Sequence, residues 1–316
     1  MRNVIKKYWL YISLVSFCAC EKDVQLQLPE IPAKLAIHAV WEKDSLITAT
    51  ITRSYNIAET PRFGTNEYPT PETYLRKYAV SNAKVKVFRN GAFLEELVYN
   101  PVKFIYTSSS GTRAKKDGIY RISVEADGLT SANSSEMGFQ DAVPIRNVQV
   151  RRDVALDESG NKLSEVIIEF DDPVATKNFY WLEFKSRHIM IPDFYFGTPN
   201  IVYPMDKDIV MPVGDVLSGT SGINWDQIIM KDDSFNGQRK RVLIRISSFN
   251  LFPPGSTSDI QQWIYLRNVS EDVYKYIRSK VINTSNPFAS PAQPYTNIAG
   301  GLGIFGLHTS DSRRLE

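Results

Sequence analysis

Cysteine is nearly absent. Cys18 and Cys20 stand two residues apart near the N-terminus, and no thiol follows them in the 316-residue chain. A fold built beyond Cys20 has no internal disulfide, so packing and hydrogen bonds must hold it. Histidine is as scarce: His38, His188 and His308 are far apart in sequence and form no HExxH or other paired spacing that would bind zinc. There is no GxSxG elbow, since Gly219-Thr220-Ser221-Gly222 has the wrong spacing, and no phosphate loop or dinucleotide GxGxxG. An excess of charge is missing too. Of 37 basic residues, Arg2, Lys6 and Lys7 lie in a leader, which leaves 34 against 35 acids. That balance excludes the electrostatic footprint of a nucleic-acid binder. The one long apolar run sits at the N-terminus, so no internal helix is expected to span a membrane. No catalytic residues, metal ligands or cofactor motif emerge, and the expectation is a non-enzymatic protein.

What is present begins at the N-terminus. The basic residues precede an apolar stretch from Tyr8 to Phe17, then Phe17-Cys18-Ala19-Cys20. A basic start, a short apolar run and a small residue before cysteine read as a signal peptide over residues 1–19. The end resembles a bacterial lipobox, with Cys20 as the lipidated residue. Cys18 is the poorer candidate, because bulky Phe17 would occupy its cleavage position. Glu21-Lys22-Asp23 resembles the short acidic, lysine-containing signal that sends Bacteroidota lipoproteins to the cell surface; its alternative is the solvated start of a tether. Residues 20–33, with Pro29 and Pro32, form the anchor and a semi-stiff leader.

Period-two alternation dominates the rest. Leu46–Thr52, Ala83–Phe88, Phe93–Tyr99, Val102–Thr107 and Ile119–Ala126 read as strands, with Asn90-Gly91 as a hairpin turn. The expected fold is mainly β: an immunoglobulin- or fibronectin-like sandwich over residues 34–144, then a second β-rich domain over 145–316. The second carries strands around Val166–Phe170, Tyr180–Phe184 and Val242–Ile246. It also holds one helix near the C-terminus, N-capped by Ser270, with Val273, Ile277 and Val281 on one face. Asn56–Tyr78 interrupts the first domain as a long loop with a short helix from Pro71, and serves either function or cover of a sheet edge.

Asp232-Asp233-Ser234-Phe235-Asn236-Gly237 has oxygen side chains where a calcium loop wants them, but Leu243 stands at the twelfth position, so a tight turn is the favoured reading. Trp181, Phe194, Tyr195, Phe196, Tyr203 and Trp225 gather in the second half, where alternating aromatics pack between sheets or, exposed, stack on sugars.

The C-terminal region holds the most specific string: Asn286-Pro287-Phe288-Ala289-Ser290-Pro291, then Tyr295-Thr296-Asn297-Ile298-Ala299-Gly300-Gly301-Leu302-Gly303-Ile304-Phe305-Gly306. It resembles the closing motif of a Bacteroidota lipoprotein family known as domain of unknown function 4249. Leu35–Ala39, Ser81–Val85, Gly118-Ile119-Tyr120, and Asp172 with Asn178-Phe179-Tyr180 are similar as well. The resemblance implies an outer-membrane lipoprotein working beside a TonB-dependent receptor in nutrient uptake, and it brings no catalytic residues. A glycan-binding or peptide-binding surface module is the alternative, with a hydrolase third. Within the motif, Asn286, Pro287, Phe288, Pro291, Asn297, Gly301, Gly303 and Phe305 form either a docking edge or a device that closes the core.

Overall fold

The computed structural model describes residues 31–55, 71–157, 160–188, 195–196, 201–204, 227–248, 251, 260–284 and 294–315. Its strands and helices all belong to one compact unit, residues 33–55 and 61–316. The protein is mainly β, and two α-helices occur among the described residues: α1 (Pro71–Tyr78) and α2 (Glu271–Thr284). Both lie where the sequence places them.

Strand Leu35–Glu42 shows how alternation becomes a core. Leu35, Ile37, Ala39 and Trp41 are buried, and the residues between them face the other side. Each large apolar side chain so buried contributes roughly 1.5–3 kcal/mol. Thr48–Arg53 pairs antiparallel with this strand. Farther along, Asn90 at φ 52° and Gly91 at φ 77° turn Lys84–Arg89 into Ala92–Asn100, with Arg89 opposite Ala92. Two positive φ values are what a two-residue hairpin needs to match strand twist. Ile119–Glu125 and then Ala132–Ser134 extend the same sheet, which curls around the first core. Trp41 stands within it, edge-on to Phe305 at 4.9 Å and to Tyr120 at 5.7 Å, with Nε1 donating to the Thr48 carbonyl at 2.6 Å.

The chain's last segment closes that curl. Ile298–Ala299 pairs with Ala132–Ser134 at one end of the curled run, and Leu302–Arg314 pairs with Leu35–Glu42 at the other. Between them the backbone passes too close to its neighbours for side chains. A Cβ on Gly303 would lie 2.0 Å from the Ile37 carbonyl oxygen, and one on Gly301 2.7 Å from that of Leu35. Gly303 also sits at φ 99°, a conformation disfavoured for other residues. Phe305 cannot turn both edges of its backbone to a strand, and a side chain takes the free one. Its N–H donates to Asn297 Oδ1 at 2.9 Å, and Asn297 Nδ2 donates to its carbonyl at 2.8 Å.

The final strand then changes neighbours. Leu302–His308 runs parallel to Ala36–Glu42, whereas His308–Arg314 runs antiparallel to Val269–Trp263. Strand Ile260–Val269 pairs with Phe179–His188, whose Tyr180, Leu182 and Phe184 pack into a second core. A four-stranded sheet, in the order Ile201–Pro204, Arg239–Ser247, Lys162–Asp171, Ile145–Leu156, supplies the facing layer. Val166, Ile168, Val242 and Ile244 point from it into the same core. Val143 and Ile145, on either side of Pro144, belong to this second core. Phe305 and Leu307, from the far end of the chain, belong to the first.

Helix α2 lies across the strand where it passes Gly306: a Cβ there would stand 2.0 Å from Val273 Cγ2. Val273, Tyr274 and Ile277 pack with Val269 and Ile304 in a third, smaller core. The Ser270 carbonyl accepts the Tyr274 N–H at 3.2 Å. Its hydroxyl, expected to cap the helix, has no hydrogen-bond partner among the described residues.

Closure by close approach makes a measurable claim. Gly128 also has a positive φ, at 74°, but faces open space, whereas Gly303 faces a carbonyl oxygen. Gly128→Ala should cost only the ~1–2 kcal/mol of left-handed backbone. Gly303→Ala should cost a further few kcal/mol, because backbone must move. Equal losses of unfolding free energy in urea would contradict the closure.

Candidate functional site

Of the residues singled out in the sequence, Cys20, Glu21, Lys22 and Asp23 lie outside the described residues, as do Asn286, Pro287, Phe288 and Pro291. Asn297, Gly301, Gly303 and Phe305 meet in the closure just described. Asp272, in the first turn of α2, ties this segment to the helix. Tyr295 donates its hydroxyl to Asp272 Oδ1 at 2.5 Å, and Asn297 Nδ2 donates to Oδ2 at 3.0 Å. Burial, and then the Asp272 carboxylate, push the Tyr295 hydroxyl up to about 12. The arrangement is a scaffold: it holds backbone and offers no open reactive group.

A second polar cluster sits where the last strand changes partners. Arg267 donates from Nη2 to Glu183 Oε2 at 2.6 Å and from Nε to the same oxygen at 3.1 Å. Its Nη1 lies 3.3 Å from His308 Nε2 and 3.6 Å from Glu42. The guanidinium also lies over the rings of Trp181 at 5.2 Å and Tyr265 at 5.4 Å. Arg267, Glu183 and His308 are all buried. Burial first, then the Arg267 and Lys185 charges, hold His308 down at about 3, so it is neutral and can accept from Arg267. Removing one partner of such a buried pair typically costs about 3–5 kcal/mol.

The residues around Asp172 also come together. Tyr180 donates its hydroxyl to Asp172 Oδ1 at 2.5 Å, and the Gly237 N–H donates to Oδ2 at 2.8 Å. Asn268 Nδ2 donates to Asn178 Oδ1 at 2.8 Å. Asp232 Oδ2 accepts the Asn178 N–H at 2.6 Å, while Asp233 pairs with Lys231. Desolvation raises both Asp232 and Tyr180. The Asp232–Ser234 turn is a short 3-10 helix, and its first two carboxylates are thus engaged by protein donors. Among the described residues no three His, Cys, Asp or Glu side chains converge as metal ligands. A polar cavity of about 360 Å³ lies beside this turn, with Lys177 and Asp233 in its wall.

A different kind of site opens on the side of strand Leu35–Glu42 that faces away from the first core. A cavity of about 270 Å³ is floored by Ala36, Ile37 and Gly303. Thr50 and Thr52, the polar side of the neighbouring strand, form one wall with His38 and Arg53. Tyr55 and Tyr78 stack at 4.6 Å and 19° beside them, and Leu75 of α1 and Tyr276 of α2 complete the rim. The Arg53 guanidinium lies 5.5 Å from the centre of the Tyr78 ring. A concave, mostly carbon wall with a few converging polar groups is the usual form of a small-molecule site. None of these residues forms a motif. Two signals in the sequence pointed nearby: the outward threonines of an alternating strand, and the tyrosines that bracket the 56–70 segment. Of the aromatics noted in the second half, Trp181 is half-buried between Arg267 and His308, and the other five side chains lie outside the described residues.

The chain belongs to the family described as a domain of unknown function (DUF4249), whose sequence model matches residues 21–314. No curated protein matches it. Among the described residues no helix is long and apolar enough to cross a membrane.

The buried histidine predicts a pH dependence. Above about 6.5, His308 is neutral whether the chain is folded or unfolded. Below that, the unfolded chain takes up a proton that the folded protein refuses until about 3. Stability should therefore fall as pH drops through this window. The difference in unfolding free energy between wild type and His308→Gln, which cannot titrate there, should shrink from pH 7 to pH 4. A difference independent of pH would contradict a buried, neutral His308.

Proposed function

We propose that this protein is a lipid-anchored outer-membrane protein, displayed on the cell surface, that binds without catalysis as an accessory to a TonB-dependent receptor in nutrient uptake. The observation that carries this reading is the leader ending in Phe17-Cys18-Ala19-Cys20, followed by a chain with no other cysteine. The thiol of Cys20 then serves as the attachment point for lipid. Several acyl chains, each holding by ~0.8 kcal/mol per buried methylene, anchor such a protein firmly. Residues 21–33 span roughly 45 Å at most when extended, at ~3.5 Å per residue, enough to stand the body clear of the lipid surface. Family membership and a β body with a preformed cavity are in keeping with a binding role. The cavity's tyrosines favour a second reading, a surface module for glycans or other small ligands, and this is compatible with the first.

Cell fractionation tests the anchor and crosslinking tests the partner. Wild type should float with outer membranes, label with palmitate, be cut by proteinase added to intact cells and bring a TonB-dependent receptor through crosslinked pull-down. Cys20→Ala should lose both the label and the membrane. Replacing Glu21, Lys22 and Asp23 by alanine should protect the protein from external proteinase. A Cys20→Ala protein that still labels and floats would overturn the anchor, and wild type recovered without a receptor would overturn the partnership.

A further inference from the structure

Glu95 is a carboxylate on the core-facing side of a strand. It stands opposite buried Val87 in Ala92–Asn100 and two residues before buried Leu97. Its partners are hydroxyls: Ser108 donates to Glu95 Oε2 at 3.0 Å, and Ser110 donates to the same oxygen at 2.9 Å. No Lys, Arg or His among the described residues pairs with it. The other oxygen, Oε1, is buried and has no hydrogen-bond partner. A buried ionised oxygen with neither donor nor counter-charge is costly, so the cluster is short of one positive group.

The loop that brings the hydroxyls is fixed in advance. Beyond strand Ile105–Thr107 the chain reads Ser108-Ser109-Ser110-Gly111-Thr112, and Gly111 turns it at φ 74°. Ile47 clasps both ends. Its carbonyl accepts the Ser108 N–H at 3.1 Å, and its N–H donates to the Thr112 carbonyl at 3.2 Å. Within the turn the Thr112 N–H donates to Ser108 Oγ at 2.8 Å, and Thr112 Oγ1 lies 2.7 Å from Ser110 Oγ. Ser108 is buried while Ser110 is exposed, so the cluster opens to solvent on the Ser110 side.

Glu95 Oε2, Ser108 Oγ and Ser110 Oγ form a triangle with edges of 3.0, 2.9 and 3.2 Å. Oxygens bonded to one calcium ion at about 2.3–2.6 Å stand roughly 3 Å apart. Hydroxyl hydrogens rotate, so these lone pairs can turn from one another toward an ion. A water molecule would satisfy Oε1 but leave its charge unopposed, whereas a cation does both. Donors that are all oxygen suit a hard cation rather than zinc or copper, and magnesium demands a more regular octahedron than a turn and one carboxylate provide.

We infer that Glu95, Ser108 and Ser110, with Thr112 at the rim, form a low-affinity calcium site that pins the 108–112 loop to Ala92–Asn100. A single carboxylate puts the site at the weak end of calcium binding, with Kd on the order of 10⁻⁴–10⁻³ M. The site is independent of the anchor and of the partner proposed above.

Calorimetric titration of the full chain in detergent with calcium chloride tests it, against sodium chloride of equal ionic strength. Calcium should bind in that range, raise the melting temperature and slow hydrogen exchange of the 108–112 amides. Glu95→Gln, which keeps the shape and removes the charge, should weaken binding at least about 10-fold. Glu96→Gln, on the exposed side of the same strand, should leave it unchanged. Should Glu95→Gln fail to fold, Ser110→Ala at the exposed edge should fold and still weaken binding several-fold. No binding of calcium at ~10 mM, well above the expected range, would show that water alone fills the gap and would overturn the inference. Binding that survives both Glu95→Gln and Ser110→Ala, or an equal gain in melting temperature from sodium, would overturn it as well.

Discussion

One strand holds this protein together, and the constraint on it is steric. Leu302–Arg314 lies beside Leu35–Glu42 for its first half and beside Ile260–Val269 for its second. To reach the first neighbour it must pass a bend where Gly301 and Gly303 touch the carbonyl oxygens of Leu35 and Ile37. To lie under α2 it must pass Val273 at Gly306. Glycine at these places is what lets the end of the chain seal a sheet begun at residue 35. The cost of ordering glycine is backbone entropy, and it is offset by the burial of Phe305 and Leu307 in the first core. The strand changes hands at His308, opposite both Glu42 and Val269, and the Arg267–Glu183 pair is built around that residue. The buried charges thus mark the register at which the two halves meet.

Much of this was legible in the sequence, and the reasons are local. Alternation placed strands that have one buried face, as in Thr48–Arg53, where Ala49 and Ile51 are buried. Asn90-Gly91 placed a hairpin because few other residues accept two positive φ values in succession. The acids after Ser270 and the four-residue spacing of Val273 and Ile277 placed α2. What could not be read was pairing at long range. Nothing in Ala36 or Leu302 announces that they are neighbours, because parallel partners are set by the whole sheet rather than by a turn. Asn297 stood out only through a resemblance, and its reason is tertiary: its carboxamide replaces a strand at Phe305.

The candidate site illustrates the same limit. Its lining comes from strands, two helices and the closing glycine, so no short segment carries a signature. The noted aromatics cluster in the second half of the chain, whereas two of the described tyrosines of the cavity, Tyr55 and Tyr78, lie in the first. The polar groups with the most perturbed protonation, His308 and Tyr180, are explained by burial within structural networks. Perturbation alone therefore does not locate function in this fold, and the concave wall beside Arg53 is the better guide.

If the shared strand is the seam of the whole molecule, the two cores cannot open separately. Native-state hydrogen exchange measures this directly, by comparing amides of Ile37 and Phe305 around the first core with those of Ile168 and Ile244 in the second. The account predicts that these amides exchange with one common free energy and one common dependence on denaturant, that of global unfolding. Exchange of Ile37 and Phe305 at a distinctly lower free energy, while Ile168 and Ile244 stay protected, would contradict it and show two units that fold independently on either side of Pro144.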